Sequence, residues 1–228
     1  MLFTLAAITS IAVPTPRPGW FLCDAVDAPV AALVGAVAND RTAITIVPRG
    51  TGAPVTRTYT VGTLDAGMSQ LHYPLTLSGK PAGDLHYVQP AVLADPAAAR
   101  TPTFTSVTLG ARTLRCRWTA NTLFLGLDAR RSFQITREGP GLVYRSFDAA
   151  RRGVVTTGAG FGQSNRATLA IAGGTRDRVR GAVRFRFANA GYDYTVLVPD
   201  RGPATVRVTH GQRLIQTEPL LGYTLAAR

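Results

Sequence analysis

Hydrophobic and polar residues alternate most clearly in the segment 178–216, near the C-terminal end of the chain. In its first part, apolar residues occupy every second position and most intervening positions are arginine. Strict alternation is typical of a β-strand with one buried face. The pattern predicts a strand over 178–187 with this inward face: Val179, Gly181, Val183, Phe185 and Phe187. The outward face would carry Arg178, Arg180, Arg184 and Arg186.

The same segment contains three groups of turn-forming residues, at 188–191, 199–203 and 210–212. Glycine, asparagine, aspartate and proline at these places favour tight reversals of the chain. We therefore expect four antiparallel strands in sequence order. A sheet of this kind buries one face, so the preceding residues must supply a second layer over it.

Short alternating segments recur along most of the remaining chain and are separated by glycine, proline and asparagine. We expect strands at 41–47, 55–61, 70–77, 84–92, 103–109, 112–118, 122–127, 132–138 and 142–148. Segment 30–37 fits either a strand or a short helix, and its flanking prolines favour a strand. Regular spacing of short strands is typical of a sandwich or a barrel. The predicted fold is all-β, an antiparallel β-sandwich or barrel-like two-layer architecture with little helix.

The first 13 residues form an apolar run of the length found in the hydrophobic region of a signal peptide. A membrane-spanning helix would need about 20 such residues. We interpret 1–13 as a signal peptide; a misplaced start or a buried first strand is the alternative. Residues 14–228 are expected to form a single β-rich domain. Segment 94–102 is a candidate subdivision or a long loop within that domain.

Two cysteines, Cys23 and Cys116, are the only ones in the chain. An exported protein with two cysteines is expected to join them in a disulfide bond, because export brings the chain into an oxidising compartment. The alternative is a pair of buried thiols.

The net charge of +12 is unevenly distributed. Through residue 100 there are six basic and six acidic residues, whereas from residue 101 onward there are 19 and seven. Nearly all the basic residues are arginines, whose planar guanidinium groups suit phosphate, sulfate and carboxylate partners. If strands 112–118 and 178–187 share a sheet, they form one basic face that includes Arg115, Arg117, Arg180, Arg184 and Arg186. We interpret this face as a binding surface for an anionic polymer or lipid headgroups; a merely solvated face is the alternative.

Candidate chemistry elsewhere is sparse. His72 and His86 lie on neighbouring predicted strands, but a zinc site usually needs three or four ligands, so we expect them to pack on the sheet. Asp24 and Asp27 form a close acidic pair that could contribute oxygens to a calcium ion, but such a site usually takes six to eight ligands, so we interpret Asp24 as a turn cap. The chain has neither a G-x-S-x-G nor an H-E-x-x-H motif, and no specific nucleic-acid motif. We predict no metal site and no cofactor.

These features favour an exported, non-catalytic binding or envelope-associated protein, periplasmic or extracellular, that uses its arginine face. A first alternative is a periplasmic hydrolase or a carrier of a small apolar ligand, with His72 and His86 as the first candidates for its site. A second alternative is a structural subunit of a surface assembly in which edge strands pair between copies.

Overall fold

The computed structural model describes residues 19–67, 70–149, 156–157, 163–164 and 166–226. The predicted signal peptide at 1–13 lies outside the described residues. Strand accounts for 67% of the structure and helix for 3%, so the predicted all-β class with little helix is confirmed.

Twenty strands and two short 3₁₀ helices make up the described elements. The strands up to the middle of the chain are β1 Gly19–Asp24, β2 Val30–Gly35, β3 Arg41–Pro48, β4 Val55–Val61, β5 Asp65–Gly67, β6 Gln70–Leu77, β7 Lys80–Val88, β8 Phe104–Leu109, β9 Arg112–Arg115 and β10 Thr122–Leu127. The later strands are β11 Arg131–Glu138, β12 Gly141–Asp148, β13 Thr156–Thr157, β14 Gln163–Ser164, β15 Leu169–Val179, β16 Ala182–Asn189, β17 Tyr192–Pro199, β18 Thr205–His210, β19 Arg213–Pro219 and β20 Gly222–Leu225. The 3₁₀ helices are Pro90–Val92 and Pro96–Ala98.

Strands β1 to β9 form an antiparallel sheet that curls into a nearly closed barrel. Its two ends meet where the chain after β1 pairs with the chain after β9. There, the Val26 amide donates to the Arg115 carbonyl at 2.9 Å, and the Arg117 amide donates to the Asp24 carbonyl at 2.7 Å. The predicted disulfide between Cys23 and Cys116 is confirmed and crosses the same seam. It links the start of the barrel covalently to its end.

The second sheet is a half-barrel with the strand order β19-β18-β17-β16-β15-β12-β11-β10-β20. The chain passes from the first sheet to the second within 116–121. The candidate subdivision at 94–102 lies instead between β7 and β8, inside the first sheet, and contains the 3₁₀ helix Pro96–Ala98. A small hairpin, β13 with β14, stands apart from both sheets.

Each sheet has its own hydrophobic core, and a smaller apolar cluster joins them. Leu85 and Phe104 are among the residues at the centre of the barrel, while Phe185 lies in the core of the half-barrel. Between the two sheets, Leu22 packs in one cluster with Leu127. At β10 the second sheet buries side chains on both of its surfaces, and all six residues of this strand are therefore buried.

The C-terminal meander is confirmed with its three predicted turns, and a further turn, which was not predicted, precedes it. Val183, Phe185 and Phe187 are 8%, 0% and 3% exposed and point inward as expected. The predicted strand over 178–187 is interrupted, however, because Gly181 has φ +70° and closes a tight turn between β15 and β16. Cross-strand neighbours share a face of the sheet, and Arg178 is opposite Val183. Arg178 is therefore not on the face that carries Arg184.

Candidate functional site

The two sets of arginines predicted to form one basic plate belong to different sheets. Arg115 ends β9 in the barrel, whereas Arg184 and Arg186 lie on β16 in the half-barrel. Arg115 is exposed and pairs with Asp27, its Nε lying 2.9 Å from Oδ2. The continuous plate is therefore not formed, because the chain changes sheets between the two strands.

Arg117 was predicted to lie on the exposed basic face, but its side chain is only 3% exposed. Its Nε donates to Asp24 Oδ2 at 2.7 Å. Arg49, 2% exposed, donates from Nη1 to the other carboxylate oxygen at 2.9 Å. Burial lowers the pKa of Arg117, and the nearby Asp24 carboxylate opposes that effect. We call Asp24, Arg49 and Arg117 the junction cluster.

The junction cluster connects the barrel to the half-barrel. Arg49 also donates to Ser132 Oγ at 3.0 Å, and Ser132 belongs to β11 of the second sheet. The Arg117 guanidinium lies 3.6 Å from the centre of the Phe147 ring on β12. Because two buried cations share one buried carboxylate, the fold is stable only while these opposite charges stay paired. The sequence interpretation of Asp24 as a turn cap missed this role, since its partners lie 25 and 93 residues away.

On the half-barrel, four arginines are each matched to a carboxylate: Arg131, Arg145, Arg178 and Arg184. Arg184 binds Asp177 through two hydrogen bonds, and these bonds hold the pKa of the Asp177 carboxyl below its usual range. Arg178 binds Asp200 with Nη2 at 2.7 Å. The predicted binding residue Arg180 lies in the turn before Gly181 and does not share the strand face of Arg184. Local pairing thus neutralises part of the basic surface.

One lateral row across five strands remains basic. It consists of cross-strand neighbours on the face opposite the core: Thr175, Arg186, Thr195, Arg207 and Thr217. We call it the Thr–Arg row. Both of its arginines are exposed, and the ion pairs found within the described ranges involve other residues. With strands spaced about 4.7 to 4.9 Å apart, the two Cα atoms lie about 10 Å from each other.

His72 and His86 are directly opposite each other on β6 and β7, as the sequence suggested. Their ring centres are 4.7 Å apart. His72 Nδ1 lies 2.8 Å from Asp84 Oδ2, and His86 Nδ1 lies 2.7 Å from Thr105 Oγ1. Burial, followed by the neighbouring His72, lowers the pKa of His86. The pair lies on the outer surface of the barrel, because the adjacent residue Leu85 is fully buried in its core.

The two histidines were the first candidates for the site of the hydrolase or carrier alternative. That alternative would be favoured by a deep apolar pocket with both rings at its mouth. A cavity of about 570 Å³ at one end of the barrel is lined by other residues, among them Trp20 and Tyr73. In the part of the chain that the structure describes, no group of three or more His, Cys, Asp or Glu side chains is arranged to hold a metal ion.

The outer edge of the half-barrel carries exposed apolar side chains. Strand β19 pairs with β18 on one side and ends the strand order of its sheet. Leu214 and Ile215 on this strand are 52% and 47% exposed. A free edge of this kind is the feature that strand pairing between copies would require.

The fold and these clusters define an all-β protein built from a barrel and a half-barrel. Comparison of the chain with models of known protein families, with curated proteins and with solved structures gave no match. A search of the described residues for a helix long and apolar enough to cross a membrane found none.

Proposed function

We propose that this is an exported, non-catalytic binding protein whose Thr–Arg row binds an anionic polymer of the cell envelope or its surroundings. The observation that carries the proposal is the pairing state of the arginines. Among the described residues, Arg186 and Arg207 are exposed on one sheet face and form no ion pair, whereas Arg178 and Arg184 each form one. Arg186 contributes only a longer-range effect, lowering the pKa of the Asp177 carboxyl that Arg184 already holds. Unmatched guanidinium groups are the ones available to an external anion.

The chemistry of the row suits repeated anionic groups. Each guanidinium offers planar pairs of N–H donors to a sulfate, phosphate or carboxylate. The threonines beside Arg186 and Arg207 add hydroxyl groups that can donate to the same anions. A five-stranded face presents these groups along a line, which fits an extended polymer better than a single small ion. The disulfide supports the exported location, because such bonds persist in oxidising compartments.

Heparin chromatography in rising salt tests the proposal with a matched pair of double variants. Arg186→Gln/Arg207→Gln removes two unmatched charges, and Arg178→Gln/Arg184→Gln removes two matched charges from the same half-barrel. We expect only the first variant to elute at clearly lower salt. Its plot of log affinity against log salt should also be shallower by about two, one for each lost contact.

Equal shifts in the two variants would show that net charge alone governs retention and would overturn the assignment to the row. Anionic liposomes provide a second arm. Binding to liposomes without retention on heparin would replace the polymer by a lipid surface.

A further inference from the structure

The cavity at the end of the barrel is formed where several strands begin or end. Trp20 lies at the start of β1, Val37 follows β2, and Val61 ends β4. Tyr73 contributes from β6, and Asp40 from the turn between β2 and β3. Its volume of about 570 Å³ is within the range of small-molecule sites, about 300 to 1,000 Å³. We call it the barrel-end cavity.

The aromatic residues of the cavity are held in place by other rings. Trp20 meets Tyr73 edge-on, with ring centres 5.1 Å apart and planes at 71°. Trp20 also meets Phe104 edge-on at 4.8 Å, and Phe104 is 2% exposed in the barrel core. A ligand would therefore meet an aromatic wall that is already oriented. Such a wall binds flat apolar groups, and its ring faces also attract cations.

Asp40 lines the cavity beside this wall. It lies in a two-residue turn with Asn39, where the φ angles are +50° and +56° for Asn39 and Asp40. Both backbone hydrogen bonds between Ala38 and Arg41 close the turn, and the Val61 amide donates to the Asp40 carbonyl at 2.7 Å. The backbone of Asp40 is thus fixed beside the cavity. Among the described residues that line the cavity, Asp40 is the charged one, and it is negative in a protein of net charge +12.

We propose that the barrel-end cavity binds a small organic cation of the quaternary ammonium class. Aromatic rings stabilise such a cation through their electron-rich faces, and the carboxylate of Asp40 supplies the opposite charge. A neutral molecule of the same shape gains the apolar contacts alone. The barrel-end cavity is separate from the Thr–Arg row, which lies on the other sheet, so the two proposals are tested independently.

Tryptophan fluorescence can report binding at this place. The chain has two tryptophans, and Trp118 packs in a different cluster, 4% exposed. In a Trp118→Phe background, Trp20 becomes the single reporter. Choline serves as the cationic probe and 3,3-dimethylbutan-1-ol as its neutral counterpart of the same shape. We expect choline to give a saturable change in fluorescence, with an affinity about tenfold higher than that of the neutral alcohol.

Two substitutions assign the selectivity to the cavity. Asp40→Asn keeps a residue that tolerates positive φ, as Asn39 does next to it, and should reduce choline binding to the level of the alcohol. Asp65→Asn removes an exposed carboxylate that does not line the cavity and should leave choline binding unchanged. Tyr73→Leu, which keeps the carboxylate, should weaken choline binding as well, measured by calorimetry.

The proposal is overturned if neither probe gives a saturable change, or if choline and the alcohol bind equally. It is also overturned if Asp65→Asn weakens choline as much as Asp40→Asn does. If circular dichroism shows that Asp40→Asn is misfolded, Tyr73→Leu tests the site instead. Unchanged choline binding in the Tyr73→Leu variant would then count against the site.

Discussion

Replacing Asp24 by asparagine should destabilise the protein more than any exposed charge substitution. Asp24 is 2% exposed and accepts hydrogen bonds from Arg49 and Arg117, whose side chains are 2% and 3% exposed. Asparagine keeps the size of the side chain but leaves two buried cations without their carboxylate. Breaking a buried ion pair in this way costs about 3 to 5 kcal/mol. Since domains are stable by about 5 to 15 kcal/mol, this loss removes roughly a fifth to all of the stability of the fold.

Equilibrium unfolding in urea under oxidising conditions measures this effect, with Asp200→Asn as the matched control. Asp200 also pairs with an arginine, Arg178, but the two side chains are 52% and 45% exposed. Exposed pairs contribute up to about 1 kcal/mol, so the control should lose no more than that. A loss for Asp24→Asn as small as that of the control would refute the reasoning that the junction cluster depends on its charge balance.

A second variant separates charge from packing at the same place. Two buried nitrogens of Arg49, Nε and Nη2, have no hydrogen-bond partner among the residues that the structure describes. Adding Arg49→Met to Asp24→Asn removes one of the two uncompensated cations and keeps an apolar chain of similar length. The double variant should recover part of the lost stability. Further loss instead would show that Arg49 acts through packing.

Two further variants probe the disulfide at the barrel seam and the pH dependence of stability. Replacing Cys23 and Cys116 together by alanine should lower the free energy of unfolding by about 4 kcal/mol, because the disulfide closes a loop with a sequence separation of 93; a loss below about 1 kcal/mol would contradict this. Burial and the neighbouring Asp128 raise the pKa of Glu218 from 4.5 to about 6. Folding therefore favours the protonated form, and the stability from this group is present below about pH 4.5 and lost as the pH rises to about 6, a decline of about 1 to 2 kcal/mol. Glu218→Gln should lack that decline in urea titrations at several pH values, and an unchanged pH profile would contradict the assignment.

The strand pattern of the sequence predicted most of the fold but missed the turn between β15 and β16. Strand β15 runs through two consecutive glycines, Gly173 and Gly174, without reversing the chain. A Cβ atom at Gly174 would lie 2.0 Å from the Phe187 ring, so the glycine allows that ring to pack against the strand. The turn at Gly181 was not predicted, because this glycine was interpreted as one position of an alternating strand. Glycine signals both close approach and reversal, and the local pattern does not separate them.

The sites were harder to predict than the strands, because each depends on cross-strand register or on contact between sheets. Arg207 follows the buried Val206 on β18 and is exposed, as alternation along a strand requires. Arg207 aligns with Arg186 because their strands, β18 and β16, both pair with β17. The geometry of the turns fixes that register, and the sequence pattern alone does not. Predicting the junction cluster would also have required the position of one sheet against the other.

The arginines of this protein show why net charge alone overstates a binding surface. Arg49 and Arg117 are buried against Asp24, where their charge stabilises the contact between the sheets and is inaccessible to a partner. Arg184 is held by Asp177 on the outer face. The same residue type on the same sheet becomes available at Arg186, because its cross-strand neighbours are threonines instead of carboxylates. Register therefore decides which positive charges contribute to stability and which can bind an anion.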